Sequence, residues 1–411
     1  MAQNAPRSSL ARFLFFILWG IFSRIFPSFN KYLLYWGLKD GAFPEPTKTD
    51  PVLNIKALGQ TFKTPVGVEI DFADSDKLID ALIDMGLGFG EFGPYTLEAQ
   101  SLPQDVEFLR RKKTVVISSD GYPNAGLLSM IPFFVNRRRF PSIIGVNIAS
   151  SALVEDKKTR RDRMLEENED MQKLSADWTY VAANVSGPRK TAAGMQAGMK
   201  LSPQEEFEVM VQKIAPYCDY IAINITHPSA DLFPHVADYS IMGPFLKGLK
   251  NTAKVSAPLS PPKIMLKIPL DLSPAQISFM GKFLTPDIVD GLIIAGPHIV
   301  PYNSETEKQY LGEYRTVLFG EMTKKRSTEL VRTFYRLTGG KLPIIAVGGI
   351  ASGQDAFDKM TAGASLVQVN SALFFKGPKV ISDINKELTK MVKSLGYRSI
   401  SQIVGNEASL D

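Results

Sequence analysis

The chain has little with which to build a disulfide or a metal centre. One cysteine, Cys218, occurs in 411 residues, which excludes a disulfide framework and a thiolate cluster. It lies beside an expected strand, where a buried, inert thiol is the default reading. Three histidines (His227, His235 and His298) are too few and too scattered for a zinc motif, so no metal site is expected. No Gly-x-Gly-x-x-Gly turn follows the first expected strand, which removes the usual support for dinucleotide binding. The apolar run Phe13–Phe22 falls short of the roughly 18–20 residues that cross a bilayer. The net charge of +5 comes with no nucleic-acid recognition motif, so nucleic acid is not an expected partner.

What is present is the composition of a folded protein, with 45% hydrophobic and 22% charged residues. The length allows one large domain with an appendage, or two domains. At the amino terminus, Phe13–Phe22 is bounded by Arg12 and, after Ser23, by Arg24. A second aromatic segment, Phe29–Leu38, follows the Pro27 break. Two short aromatic helices with basic flanks read as a hairpin lying in a membrane interface, placing a membrane-associated segment at residues 1–44. A tilted single span, a signal peptide and a soluble helix pair are the alternatives.

From residue 45 to 411 strand and helix patterns alternate. Strands are expected at Val66–Ile70, Gly88–Phe92, Ile143–Ile148, Asp219–Ile225, Ile264–Ile268, Gly291–Ala295, Ile344–Val347 and Leu366–Val369. Helix patterns fall between most pairs, at Asp76–Met85, Pro203–Ile214, Ser327–Leu337 and Gln354–Ala362. Eight such units point to an α/β protein with a closed (β/α)8 barrel, an open doubly wound sheet being the alternative. An insertion at about 152–202 follows the third strand, so on a barrel it belongs to the catalytic face, as a lid or as a solvated excursion.

The last two strands end in Gly348-Gly349 and in Asn370-Ser371, each before a helix pattern. Paired strand ends of this kind present backbone N–H groups and helix dipoles to a phosphate; an ordinary βαβ unit has the same outline. Asn147, Asn224 and Thr226 end other strands, where a barrel enzyme keeps its reactive groups. Lys267, inside an apolar strand pattern, calls for an anionic or polar partner such as the electron-rich edge of a reduced flavin, unless it snorkels out. His227, after the fourth strand, is a candidate general base or a loop imidazole bonded to backbone.

Nearly the whole chain resembles the dihydroorotate dehydrogenase family, in its membrane-associated, quinone-linked class. The resemblance is carried by TPVGVEIDF from Thr64, GFGEFGPYT from Gly88, IIGVNI from Ile143, DYIAINITHP from Asp219, KIMLKIPLDLS from Lys263 and DGLIIAG from Asp290. Most specific is the stretch Pro343–Pro378. The resemblance implies FMN as cofactor, with Gly93, Asn147, Asn224 and Lys267 at flavin-contacting positions. It implies Gly320, Gly348, Gly349, Asn370 and Ser371 in the phosphate and ribityl region. For the pyrimidine it implies Asn124, Asn224 and Ser229, with His227 in the place of the catalytic base. It further implies an amino-terminal hairpin that inserts into the inner face of a membrane and reaches ubiquinone.

The chain also departs from the family pattern. Glu69, Ile70 and Asp71 replace a small Ala-Ala-Gly run that lies against the flavin, Ala295 a threonine and Phe319 a serine. Asp74 stands where the family has a lysine that meets the substrate, and Pro123, Ser229 and Gly296 stand where it has asparagines. A second motif, NVSGPR from Asn184, offers Ser186 as an alternative base. The expected function is oxidation of dihydroorotate to orotate through FMN with quinone as acceptor, in pyrimidine biosynthesis. The alternatives are a membrane flavoprotein with another substrate, and a barrel without catalysis that serves as a binding or scaffold protein.

Overall fold

Runs of β-branched residues buried on both faces dominate the chain, a pattern that arises when helices cover one side of a parallel sheet and a barrel core the other. The computed structural model describes residues 48–70, 86–100, 110–111, 113–118, 124–135, 143–150, 201–226, 238–294, 298–300 and 316–408. In it eight parallel strands close into a barrel. They are β1 (Val66–Ile70), β2 (Phe89–Tyr95), β3 (Ile143–Ala149), β4 (Tyr220–Asn224), β5 (Lys263–Ile268), β6 (Gly291–Ile294), β7 (Ile344–Val347) and β8 (Leu366–Val369). Each pairs with its neighbours in sequence, and β8 closes on β1 through Gln368 opposite Gly67. The expected barrel is the one observed. Strand β2 runs on to Tyr95 through a register shift after Phe92.

The helices start where local chemistry satisfies their free N–H groups. Among them are α1 (Leu127–Val135), α2 (Pro203–Ile214), α3 (Tyr239–Ser256) and α4 (Pro274–Phe283). Ser202 with Glu205 and Ser273 with Gln276 form reciprocal capping boxes, each followed by proline at the first helical position. Past β6 come α5 (Lys324–Leu337), α6 (Gly353–Thr361), the short α7 (Ser371–Lys376) and α8 (Lys379–Ser394).

Two additions flank the barrel. Before β1 a small hairpin pairs Ile55–Ala57 with Gln60–Phe62. Its Phe62 ring meets Phe89 edge-on at 5.6 Å, and both side chains are buried. Gly67 makes room, because a Cβ there would lie 2.5 Å from the Phe89 ring. At the opposite end, the segments that follow β2 and β6 join in a four-stranded antiparallel sheet, ordered His298–Val300, Thr316–Gly320, Lys113–Ser118 and Arg110–Arg111. This sheet on the carboxyl-terminal side is not expected from the sequence. The amino-terminal segment 1–44, the helix pattern Asp76–Met85 and nearly all of the insertion at 152–202 lie outside the described residues. Among the described residues, no helix is long and apolar enough to cross a membrane.

Candidate active site at the barrel mouth

Inside the barrel, above the aromatic plug, the apolar core gives way to a buried polar layer. Glu91 on β2 is fully buried. Its Oε2 accepts from the Tyr220 hydroxyl on β4 at 3.0 Å and from Gln368 Nε2 on β8 at 2.7 Å. Its Oε1 faces Asn147 Nδ2 on β3 and Lys267 Nζ on β5, both at 3.3 Å. Four donors from four strands thus converge on one carboxylate. Burial pushes the Glu91 carboxyl up, Lys267 pulls it down, Glu69 pushes it up again, and the balance lies above the ordinary glutamate range. Tyr220 is raised well above the usual phenol value, first by burial and then by the Glu91 charge.

Lys267 sits one layer nearer the mouth and is 2% exposed. Its ammonium is ion-paired with Glu69 on β1 and reaches Glu91 as well. Burial works against that charge, and Glu69 and Glu91 together more than offset it, so the lysine is held above its ordinary value. Lys267 therefore does not snorkel: it has the anionic partners its strand position demands, and they are the protein's own carboxylates. Glu69 also faces Asn147 Nδ2 and Asn370 Nδ2, both at the long distance of 3.4 Å.

Asn147, Asn224, Lys267 and Asn370 are thus found at neighbouring strand ends. Asn224 Oδ1 accepts from Thr226 N at 3.0 Å and from Thr226 Oγ1 at 2.7 Å, which fixes the turn leaving β4. Gly93 has φ 113°, and a Cβ on it would lie 2.4 Å from the carbonyl oxygen of Asn147. Only glycine lets β2 pass so close to β3. Asn124 is bound into the loop before α1, where its Oδ1 accepts from Thr96 N at 3.2 Å and Gly126 N at 2.8 Å. His227, Ser229, Asp71, Asp74, Pro123, Ala295 and Gly296 lie outside the described residues.

Gly348 and Gly349 leave β7 with φ of 101° and 70°. Cβ atoms there would lie 2.8 Å from Thr323 Oγ1 and 2.5 Å from Lys324 Cβ, so the glycines let the start of α5 approach the strand end. Gly320 precedes that segment with φ 100°, and its carbonyl accepts from Thr323 Oγ1 at 2.8 Å. One expectation here needs correction. The amide groups around the start of α6 are already used: Asp355 N bonds to Ser352 Oγ, Ala351 N to Asp355 Oδ2 and Gly353 N to Glu387. Ser371 opens α7, which has only six residues. The helix starts therefore offer fewer free N–H groups than the sequence pattern suggests.

Sequence reasoning missed Glu91, Tyr220 and Gln368, the inner half of the polar layer. The one available signal was a carboxylate between glycines and phenylalanines in GFGEFG.

With this geometry in view, the chain matches the profile of the dihydroorotate dehydrogenase family over residues 52–392. The chain belongs to the dihydroorotate dehydrogenase family. Among its relatives, the dihydroorotate dehydrogenase (quinone) of Rhodospirillum rubrum is 27% identical over 357 residues, covering 87% of this chain and 84% of the relative. The mitochondrial dihydroorotate dehydrogenase (quinone) of mouse is 27% identical over 371 residues, 89% of this chain and 82% of that protein. The crystal structure of ligand-free dihydroorotate dehydrogenase from Eimeria tenella superposes with a TM-score of 0.73 at 22% identity, covering 93% of this chain and 99% of that one. That likeness establishes the fold.

The family implies a flavin, and two observations bear on its fit. Asn147 Oδ1 is buried and accepts no hydrogen bond, an acceptor suited to a ligand N–H of the kind an isoalloxazine imide carries. The Glu69 carboxylate, in contrast, already holds Lys267. The site fits a flavin with Glu69 turned away from Lys267.

Proposed function

We propose that this protein is a dihydroorotate dehydrogenase of the quinone-linked class, oxidising dihydroorotate to orotate in pyrimidine biosynthesis, with FMN as cofactor and quinone as final acceptor. The observation that carries this reading is the family match along almost the entire barrel, joined to the meeting of Asn147, Lys267 and Asn370 around Glu69 and Glu91, with Asn224 in register with Lys267. Proteins named dihydroorotate dehydrogenase (quinone) align over 82–84% of their own length with this chain in the two relatives described above.

A flavin bound there supplies a two-electron acceptor for the hydride of the substrate. The residues of the chain do the rest. Lys267 presents a fixed positive charge inside the barrel, maintained by Glu91 on its inner side. Asn147 Oδ1 receives a ligand N–H, and Gly93 keeps that strand end close to β2. Gly320, Gly348, Gly349 and Ser371 border the position for a phosphate. Asn124, Asn224 and Ser229 hold the pyrimidine by hydrogen bonds, and the His227 imidazole, near neutrality in basicity, removes the C5 proton. The segment 1–44 lies in the face of an inner membrane as a monotopic hairpin and brings lipid-dissolved ubiquinone to the barrel.

One observation favours a second reading. An ion pair between Glu69 and Lys267 suits a barrel that binds without redox chemistry, as a membrane-bound scaffold. The assay that separates the two is dihydroorotate-dependent reduction of a short-chain ubiquinone by detergent-purified protein supplied with FMN. Turnover that falls to background in His227→Ala supports the enzyme. Absence of turnover with flavin bound overturns dihydroorotate as substrate.

A further inference from the structure

We propose that Glu69 is a built-in counter-ion for Lys267 that competes with the flavin, so that FMN enters this barrel only as the Glu69 carboxylate turns out. The inference rests on the flavoprotein reading above and concerns one residue of this chain.

Two carboxylates share one ammonium at the mouth, and they are not equivalent. Glu91 has a side chain with no exposure and is held by Tyr220, Gln368, Asn147 and Lys267. It has no route out. The Glu69 side chain is 12% exposed and stands at the open end of the layer. Apart from Lys267, its partners among the described residues are the long contacts to Asn147 and Asn370. Glu69 is therefore the member that can leave. When it does, Glu91 remains beside Lys267, and the ammonium is not left buried without a partner.

Glu69 and an electron-rich ligand edge cannot both occupy the same side of Lys267. Two negative groups there would face Glu91 as well, three anionic groups around one cation in a poorly hydrated interior. Asn147 is caught in the same competition. Its amide N–H faces both glutamates, at 3.4 Å to Glu69 and 3.3 Å to Glu91, so it gives up the Glu69 contact when that carboxylate turns out. Binding FMN thus costs the Glu69–Lys267 pair, and removing the Glu69 charge removes that cost.

The test is titration of flavin-free, full-length protein with FMN, read by quenching of flavin fluorescence, for wild type, Glu69→Gln and Glu69→Ala. The glutamine variant keeps the side-chain volume and removes only the charge. Both variants are expected to bind FMN at least about tenfold more tightly than wild type. Equal affinity in all three overturns the competition and leaves the flavoprotein reading standing. Tighter binding by wild type also overturns it, because Glu69 would then support the cofactor. No binding by any of the three, with thermal unfolding showing all to be folded, overturns both the competition and the flavin.

Discussion

Glu91 and Tyr220 lie 129 residues apart in sequence and meet inside the barrel, the tyrosine hydroxyl donating to the carboxylate at 3.0 Å. Gly145 makes this possible. It is paired with Tyr220 across β3 and β4, and a Cβ on it would lie 2.0 Å from the Tyr220 ring. Gly145→Ala therefore drives the ring off Glu91 and overpacks the core. The expected loss is about 1–3 kcal/mol of stability, measured by urea unfolding. A Tyr220→Phe background should blunt only the part that comes from the lost hydrogen bond.

Glu91 gives the fold a pH dependence of definite sign. Its folded-state carboxyl lies above the ordinary value of 4.5, through burial first and with Glu69 adding to it. Folding therefore takes up a proton at Glu91, a contribution fully present below about pH 4.5 and lost as pH rises through the folded value. Glu91→Gln has no such titration. Its unfolding free energy should fall less than that of wild type as pH rises above about 4.5. Parallel curves for the two proteins would exclude the assignment.

Lys359 makes a prediction of opposite slope. It belongs to α6, its side chain is fully buried, and Nζ donates to the Lys324 carbonyl at the start of α5 at 3.0 Å. Burial lowers its pKa to about 7, the Lys324 charge adds to the effect, and Asp355 and Asp358 oppose it. A depressed lysine destabilises the folded state below its folded value and ceases to do so above its unfolded value of 10.5. Wild type should gain stability from this group by about 1.4 kcal/mol per pH unit between pH 7 and 10. Lys359→Met should lose that gain and be more stable than wild type at pH 7, as followed by chemical denaturation across the pH range.

The barrel was legible because most of its strands are short apolar runs rich in β-branched residues, the last two ended by glycine or asparagine: Ile344–Val347 before Gly348 and Leu366–Val369 before Asn370. The sheet at the mouth was not. Its strands Lys113–Ser118 and Thr316–Gly320 come from loops about 200 residues apart, and only closure of the barrel brings them into register. Lys267 announced itself as a charge within an apolar strand. Glu91 did not, because strands buried on both faces lose the alternation that marks an inward position. Its partner Gln368 was hidden in the same way, inside the run Leu366–Val369. The departure at Glu69 was visible in the sequence, but its consequence was not: only the geometry shows that it pairs with Lys267.

A flavin held at this mouth should take up the electrons of dihydroorotate. The most direct test is the visible spectrum of detergent-purified protein loaded with FMN, recorded before and after anaerobic addition of dihydroorotate. The bound flavin should bleach, and its colour should return when ubiquinone is added. A bound flavin that stays oxidised in excess dihydroorotate would contradict this transfer.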